Sequence, residues 1–161
     1  MSCPQHVPAE LRRLAASACV NVHSSLLPAY AGLAPYFWVL ANGERESGTT
    51  VHYMVEQLDA GNVLAQRRLP IGVRTSAFAL FHDLAREGAL ALLDGLAIGA
   101  LGASARPQDQ AVRTYYSHPD LQSYIRLRQR GHHLIRISEI RQALFGEQSR
   151  ATKAQLGRPP A

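Results

Sequence analysis

Apolar positions along the chain change period several times, and each change marks an element. Between Pro8 and Ala16, Leu11 and Leu14 stand three apart and predict a short helix. Ala18–His23 reads as a short strand, and Ser24–Gly32 as a loop carrying Pro28. Pro35–Ala41 predicts a helix with proline near its first turn and Asn42-Gly43 as its stop. Gly48–Met54, rich in Thr, Val and Tyr, and Val63–Pro70 read as two strands flanking the turn Asp59-Ala60-Gly61-Asn62. The strongest pattern runs from Thr75 to about Ile98. Phe78, Phe81, Leu84, Leu92 and Leu96 recur there at near-helical spacing, with Asp83, Arg86, Glu87 and Asp94 between them. Thr75 is the expected N-cap. Gly88 and Gly95 either weaken this helix, by up to about 1 kcal/mol each if exposed, or admit a close neighbour.

Beyond that helix the pattern is weaker. Gly99–Pro107 reads as a linker of small residues, and Pro119–Arg130 as a basic helix closed by Gly131. His132–Ile137 reads as a short strand and Ser138–Phe145 as a helix. Gln148–Ala161 has little apolar content and reads as a mobile tail. The expected organisation is an α/β unit over 1–105, a small basic α/β extension over 106–147, and the tail over 148–161.

Composition narrows the class. At 161 residues and 47% hydrophobic, the chain is long and apolar enough to bury a core, which excludes a disordered or collagen-like protein. No apolar run reaches the roughly 18–20 residues of a membrane span, and residues 1–18 lack the order of a secretory signal. Two cysteines, Cys3 and Cys19, fit a reducing compartment, so a cytoplasmic protein with no membrane partner is expected. Residues 1–105 carry seven arginines against eight acids, a net −1; residues 106–161 carry nine arginines and Lys153 against four acids, a net +6. The positive excess is a C-terminal property, fit for an anionic partner or for a solvated surface.

The informative chemistry lies in Asn21-Val22-His23-Ser24-Ser25-Leu26-Leu27-Pro28. On a strand, alternation puts Cys19, Asn21 and His23 on one face, with Val20 and Val22 opposite. An amide and an imidazole then meet at the C-terminal end of a strand, where open α/β sheets bind ligands. Such a pair suits acyl transfer, since Asn donates N–H to a developing oxyanion and His relays a proton. Two further runs follow: Gly48-Thr49-Thr50-Val51-His52, and Asp59-Ala60-Gly61 with Gln66 after it.

With these three runs in order, the sequence strongly resembles the folate-dependent formyltransferase family. Its members include the glycinamide ribonucleotide, methionyl-tRNA and sugar-nucleotide N-formyltransferases and the related formyltetrahydrofolate deformylases. The family is marked by Asn-x-His-x-Ser-x-Leu-Pro, Gly-x-Thr-x-His, and Asp-x-Gly with a following Gln. The resemblance is dense from Val20 to about Pro70 and looser to about Ser104. It implies the C-terminal half of a Rossmann-like domain, with a mixed sheet, flanking helices and a small helical C-terminal extension. It implies Asn21, His23 and Asp59 as the catalytic trio, acting on 10-formyltetrahydrofolate as co-substrate and a small-molecule amine as acceptor. Asn21 and His23 then stabilise the oxyanion, while Asp59 orients His23 and helps remove the amine proton. A carboxylate beside His23 is expected to raise its pKa. Gln5, His6, Val7 and Leu58 are expected at the folate pocket, and Ser24, Pro28, Gly32 and His52 at the acceptor side. His23, His52 and Asp59 can also be read as a two-His, one-carboxylate metal site; the resemblance explains all three without a metal. Tyr36, Phe37 and Trp38, at helical spacing, read as core. A deformylase-type hydrolase and a truncated, non-catalytic folate- or partner-binding domain are the alternatives.

Two departures from the family pattern stand out. Many relatives carry Arg before the glycine after the Leu-Pro loop, where this chain has Ala31 before Gly32. The family's upstream βα units are also missing, since only 20 residues precede Asn21. A parallel strand at Ala18–His23 is expected to be buried between neighbours; without them it presents an edge. A dimer, a complementary N-terminal half or the C-terminal segment would then cover it. Resemblance further implies that transfer-RNA members append a β-barrel, which 106–161 does not resemble. A nucleic-acid partner is therefore weakly supported, and a small nucleotide-linked amine fits better, with Arg126, Arg128 and Arg130 as candidate phosphate contacts.

Overall fold

The computed structural model describes residues 7–15, 18–100 and 104–142. The elements in chain order are α1 (Ala9–Arg13), β1 (Val20–His23), β2 (Ala31–Gly32), α2 (Pro35–Asn42), β3 (Glu46–Tyr53), β4 (Val63–Pro70), α3 (Ala77–Ala100), β5 (Tyr115–Tyr116) and α4 (Leu121–Gln129). A 3-10 turn covers Gln110–Val112, and residues 137–142 are helical. Gln5, His6 and the tail over 148–161 lie outside the described residues.

The main sheet has the order β1-β3-β4, with both pairs antiparallel, and β2 pairs with β5 in a short parallel sheet. This corrects the expectation of a parallel strand at Ala18–His23. β1 takes its backbone partners from the downstream strand β3, from Val20↔Tyr53 to His23↔Thr50, and among the described residues it is an edge. β3 is covered on both sides, which is why Ser47–His52 are all buried although the run is not uniformly apolar.

Alternation sorts the sheet into two faces. Val22, Thr49 and Val51 turn toward α3, and Gly88 and Gly95 are where the helix meets them. A Cβ on Gly88 would lie 2.9 Å from Val22 Cγ1, and one on Gly95 would lie 3.2 Å from Val51 Cγ1. The two glycines thus trade helix propensity for contact with the sheet. The opposite face carries Asn21, His23, Thr50, His52 and Gln66, paired in register as Asn21↔His52, His23↔Thr50 and Thr50↔Gln66. The polar half of the alternation therefore converges on one side of the sheet.

A second core joins α2 to α3 and α4. Phe37, Leu40, Leu80, Leu84 and Leu127 are fully buried there, with Trp38 beside them and Tyr36 packed against the cluster. Each buried side chain of this size contributes about 1.5–3 kcal/mol. Gly43, at φ 77°, ends α2 after Asn42 as the Asn-Gly pair predicts. The cap of α3 is Ser76 rather than Thr75: its Oγ accepts from the Ala79 N–H at 3.0 Å and donates to Glu139 Oε1 at 2.7 Å. Ser76 is fully buried, so its hydroxyl satisfies both groups at once. The strand expected over His132–Ile137 is only a single bridge, His133 to Ser76. The His133 and Leu134 carbonyls accept the N–H groups of Ala77 and Phe78, and so finish the first turn of α3 instead of building a ladder. Among the described residues, no helix is long and apolar enough to cross a membrane.

Candidate active site

Asp59 is the centre of the polar face. It follows the β3 strand on a turn where its own φ is 53°, an uncommon left-handed value for a residue with a side chain. The carboxylate is buried. Its Oδ2 accepts the Gly32 N–H at 2.9 Å and lies 3.6 Å from His23 Nδ1. Its Oδ1 lies 3.6 Å from His52 Nε2 and accepts from Asn21 Nδ2 at 3.5 Å. Asn21 Nδ2 also stands 3.3 Å from His52 Nε2. Asn21, His23, His52 and Asp59 are therefore one cluster, brought together by register and by one turn.

The backbone fixes both imidazoles. His23 Nε2 is 2.8 Å from the Tyr30 carbonyl, which only accepts, so that nitrogen carries a proton. The lone pair of the neutral ring is then on Nδ1, facing Asp59. His52 Nδ1 donates to the Tyr53 carbonyl at 2.9 Å, which leaves its Nε2 free to accept from Asn21. Gly32 could not be another residue. Its φ is 96°, and a Cβ would lie 2.2 Å from the Tyr116 carbonyl.

The electrostatics correct one expectation. Burial pushes the pKa of His23 below its ordinary 6.5; Asp59 and the Tyr30 carbonyl pull upward but do not overcome desolvation. His23 is therefore a neutral ring near pH 7, not the expected imidazolium. For Asp59, burial alone acts upward. The His52 and His23 rings set against it and the Gly32 N–H together outweigh it, holding the carboxyl below its ordinary range. A neutral imidazole beside a carboxylate kept ionised is a proton acceptor backed by a second acceptor.

The other expected site residues are placed as follows. Gly32 and His52 touch Asp59 directly. Ser24 is half-buried at the end of β1, and Pro28 is half-buried after a cis peptide bond, its carbonyl accepting from Thr114 at 3.3 Å. Leu58 adjoins Asp59 and is partly exposed, and its carbonyl accepts from Arg113 at 2.9 Å. Val7 precedes α1, where its carbonyl accepts from Arg12. Thr50 forms a hub behind the cluster. Its Oγ1 donates to the Ser25 carbonyl at 2.6 Å and accepts from Leu27 N at 3.0 Å and Gln66 Nε2 at 2.9 Å. Sequence pattern does not single out Tyr30, whose carbonyl orients His23, or Gln108, Arg113 and Thr114, which bond the site loops. Nothing in local spacing marks Gln108, Arg113 and Thr114, since their partners lie 49, 55 and 84 residues away.

Comparison with known proteins gives the class. Residues 2–95 match the Formyl transferase family. A methionyl-tRNA formyltransferase of Synechococcus sp. is 42% identical over 112 residues, which are 69% of this chain and 35% of that protein. A solved N-formyltransferase from Helicobacter canadensis, in complex with folinic acid and dTDP-3-aminofucose, superposes with a TM-score of 0.57 at 25% identity, covering 70% of this chain and 46% of that one. The formyltransferase PseJ from Anoxybacillus kamchatkensis shares the fold, with a TM-score of 0.64 at 20% identity over 75% of this chain and 64% of that one. The chain belongs to the formyl transferase family. It spans about a third of the length of the curated relative it matches.

Proposed function

We propose that this chain carries the reaction centre of a folate-dependent N-formyltransferase, which moves a formyl group from 10-formyltetrahydrofolate to an amine. The single observation that carries the reading is the buried Asp59 carboxylate held against Asn21, His23 and His52. The donor set fits the co-substrate: a formamide needs an N–H donor at its oxygen and a proton acceptor near the incoming amine. Asn21 is the half-buried member and supplies the donor; Asp59 supplies the acceptor. When bound, the folate supplies an activated formyl carbon and a nitrogen leaving group.

The residues then act in order. Asn21 Nδ2 donates to the formyl oxygen as the acceptor nitrogen bonds to carbon and negative charge develops. Asp59 takes the proton from that nitrogen. The neutral His23 ring, fixed with Nε2–H on Tyr30, offers its Nδ1 lone pair to the newly protonated Asp59. Asp59 returns the proton to the folate nitrogen as its bond to the formyl carbon breaks. The products are a formamide and tetrahydrofolate, and no further reactant is consumed. The acceptor is proposed to be an amine on a nucleotide-bearing molecule. That chemistry is common to the methionyl-tRNA in the name of one relative and the dTDP-3-aminofucose bound to another.

The test is release of tetrahydrofolate from 10-formyltetrahydrofolate by the 161-residue chain, with and without methionyl-tRNA or a nucleotide-linked amino sugar. Release that depends on the amine is expected. Equal release in water alone would replace transfer with hydrolysis.

A further inference from the structure

The segment from Arg106 to Tyr116 lies beyond the residues that match the family, and it straps both loops of the site. Its first anchor is a pair of backbone bonds between Arg106 and Val63, at 2.7 and 2.8 Å. Gln108 then reaches the Asp59 turn. Its Nε2 donates to the Asp59 carbonyl at 2.9 Å and to the Gly61 carbonyl at 2.7 Å, using both amide hydrogens. Arg113 Nη2 donates to the Leu58 carbonyl at 2.9 Å. Three successive bonds thus hold the carbonyls around a residue whose φ is 53°. A left-handed residue with a side chain persists only where its surroundings over-determine it.

The same strap fixes what faces the carboxylate. Thr114 accepts the Tyr30 N–H on Oγ1 at 2.8 Å and the Ala31 N–H on its carbonyl at 2.9 Å. β5 then pairs with β2 at Ala31↔Tyr115 and Gly32↔Tyr116. Tyr116 stacks on Tyr30 with ring centres 5.1 Å apart and accepts from Asn42 Nδ2 at 2.9 Å. The strap therefore sets Asp59, the Gly32 N–H that bonds it, and the Tyr30 carbonyl that orients His23.

We propose that Gln108, assisted by Arg113, is a positioning residue for Asp59, acting on formyl transfer through the turn that carries the carboxylate and without touching either substrate. The inference rests on the reading of Asp59 as the proton acceptor. Its structural part can be judged apart from that reading.

The test uses the full chain and Gln108→Met, which keeps the volume and loses the two donors. The first readout is the NMR titration of the His23 ring, assigned by its loss in His23→Gln. Asp59 and His52 are the titratable neighbours that act on this ring. If Gln108 holds Asp59 in place, its loss lets the carboxylate withdraw and the His23 midpoint falls by about half a pH unit, roughly threefold in the protonation equilibrium. Leu84→Ala, a truncation in the core between α2, α3 and α4 that makes no bond to the Asp59 turn, is the control and leaves the midpoint unchanged. The second readout is kinetic: kcat falls about tenfold while KM for the formyl donor stays within about twofold. Arg113→Lys, which keeps one donor for Leu58, retains more of kcat than Arg113→Met. Should Gln108→Met fail to fold, Gln108→Asn, with the same amide on a shorter arm, carries the same test. A wild-type midpoint in the Gln108 variant, or the same displacement in Leu84→Ala, overturns the proposal. If the wild-type chain transfers no formyl group yet the midpoint moves in Gln108→Met alone, the positioning stands and the reaction assigned to the site falls.

Discussion

Replacing Gly32 with alanine tests the geometry around Asp59, and the structure supplies its own control. Gly32 and Gly131 are both left-handed, at φ 96° and 81°, but a Cβ on Gly131 would meet nothing within 4 Å. Gly131→Ala therefore isolates backbone strain, worth about 1–2 kcal/mol. At Gly32 the same strain is joined by a Cβ 2.2 Å from the Tyr116 carbonyl and 2.8 Å from the Tyr115 ring. The Tyr116 carbonyl cannot yield without breaking the β2–β5 pair, so the N–H that Asp59 accepts at 2.9 Å must move. A hydrogen bond to a charged group contributes about 1.5–3 kcal/mol. The expected cost of Gly32→Ala is thus about 2.5–5 kcal/mol, against about 1–2 for Gly131→Ala. Urea unfolding of the two variants and the parent chain measures both. Equal costs for the two substitutions would refute the claim that Gly32 is fixed by contact with β5 and by the Asp59 bond.

Three further outcomes follow from the same structure. Thr50→Val removes the hub hydroxyl, leaves the buried Leu27 N–H and Ser25 carbonyl unpaired, and is expected to lower unfolding free energy by about 1–3 kcal/mol in urea. Leu84→Ala, at a side chain with no exposure, is expected to cost about 2–5 kcal/mol by the same measurement. Acid should destabilise the chain in two stages. His23 has a folded pKa below 6.5, so the native state resists its proton, and stability full above pH 6.5 declines as pH falls below it. Asp59 has a folded pKa below its ordinary value, so its contribution is present above about pH 4 and disappears as pH falls further. Stability measured against pH in His23→Gln should lack the first stage, and a profile identical to the parent's would disprove the assignment.

Much of the fold is legible along the chain because local pattern and tertiary environment agree. Val63–Pro70 is a strand in pattern and in space, and the Asn42-Gly43 stop of α2 is where the sequence puts it. The alternation that sets Asn21 and His23 on one face is also what delivers both to Asp59. The remainder depends on distance. β2 and β5 are two residues each, too short for any period to register. β1 looks parallel by analogy but pairs antiparallel with β3, since no local signal states which strand its backbone will meet. The charge of His23 fails for a related reason: a sequence shows that a carboxylate is near, but the depth of burial that outweighs it exists only in the fold. Gln108 and Arg113 carry no motif, and only the folded chain shows the carbonyls they hold.

The central claim is that Asp59 accepts the proton of the attacking amine. Asp59→Asn keeps the shape and an oxygen for the Gly32 N–H but cannot take up that proton at neutral pH. Single-turnover transfer from 10-formyltetrahydrofolate to the amine acceptor is the measurement, with folate affinity determined in parallel. The account predicts a rate about 10²–10⁴ times lower than that of the parent chain, with folate affinity little changed. A variant that transfers the formyl group at the parent rate would contradict it.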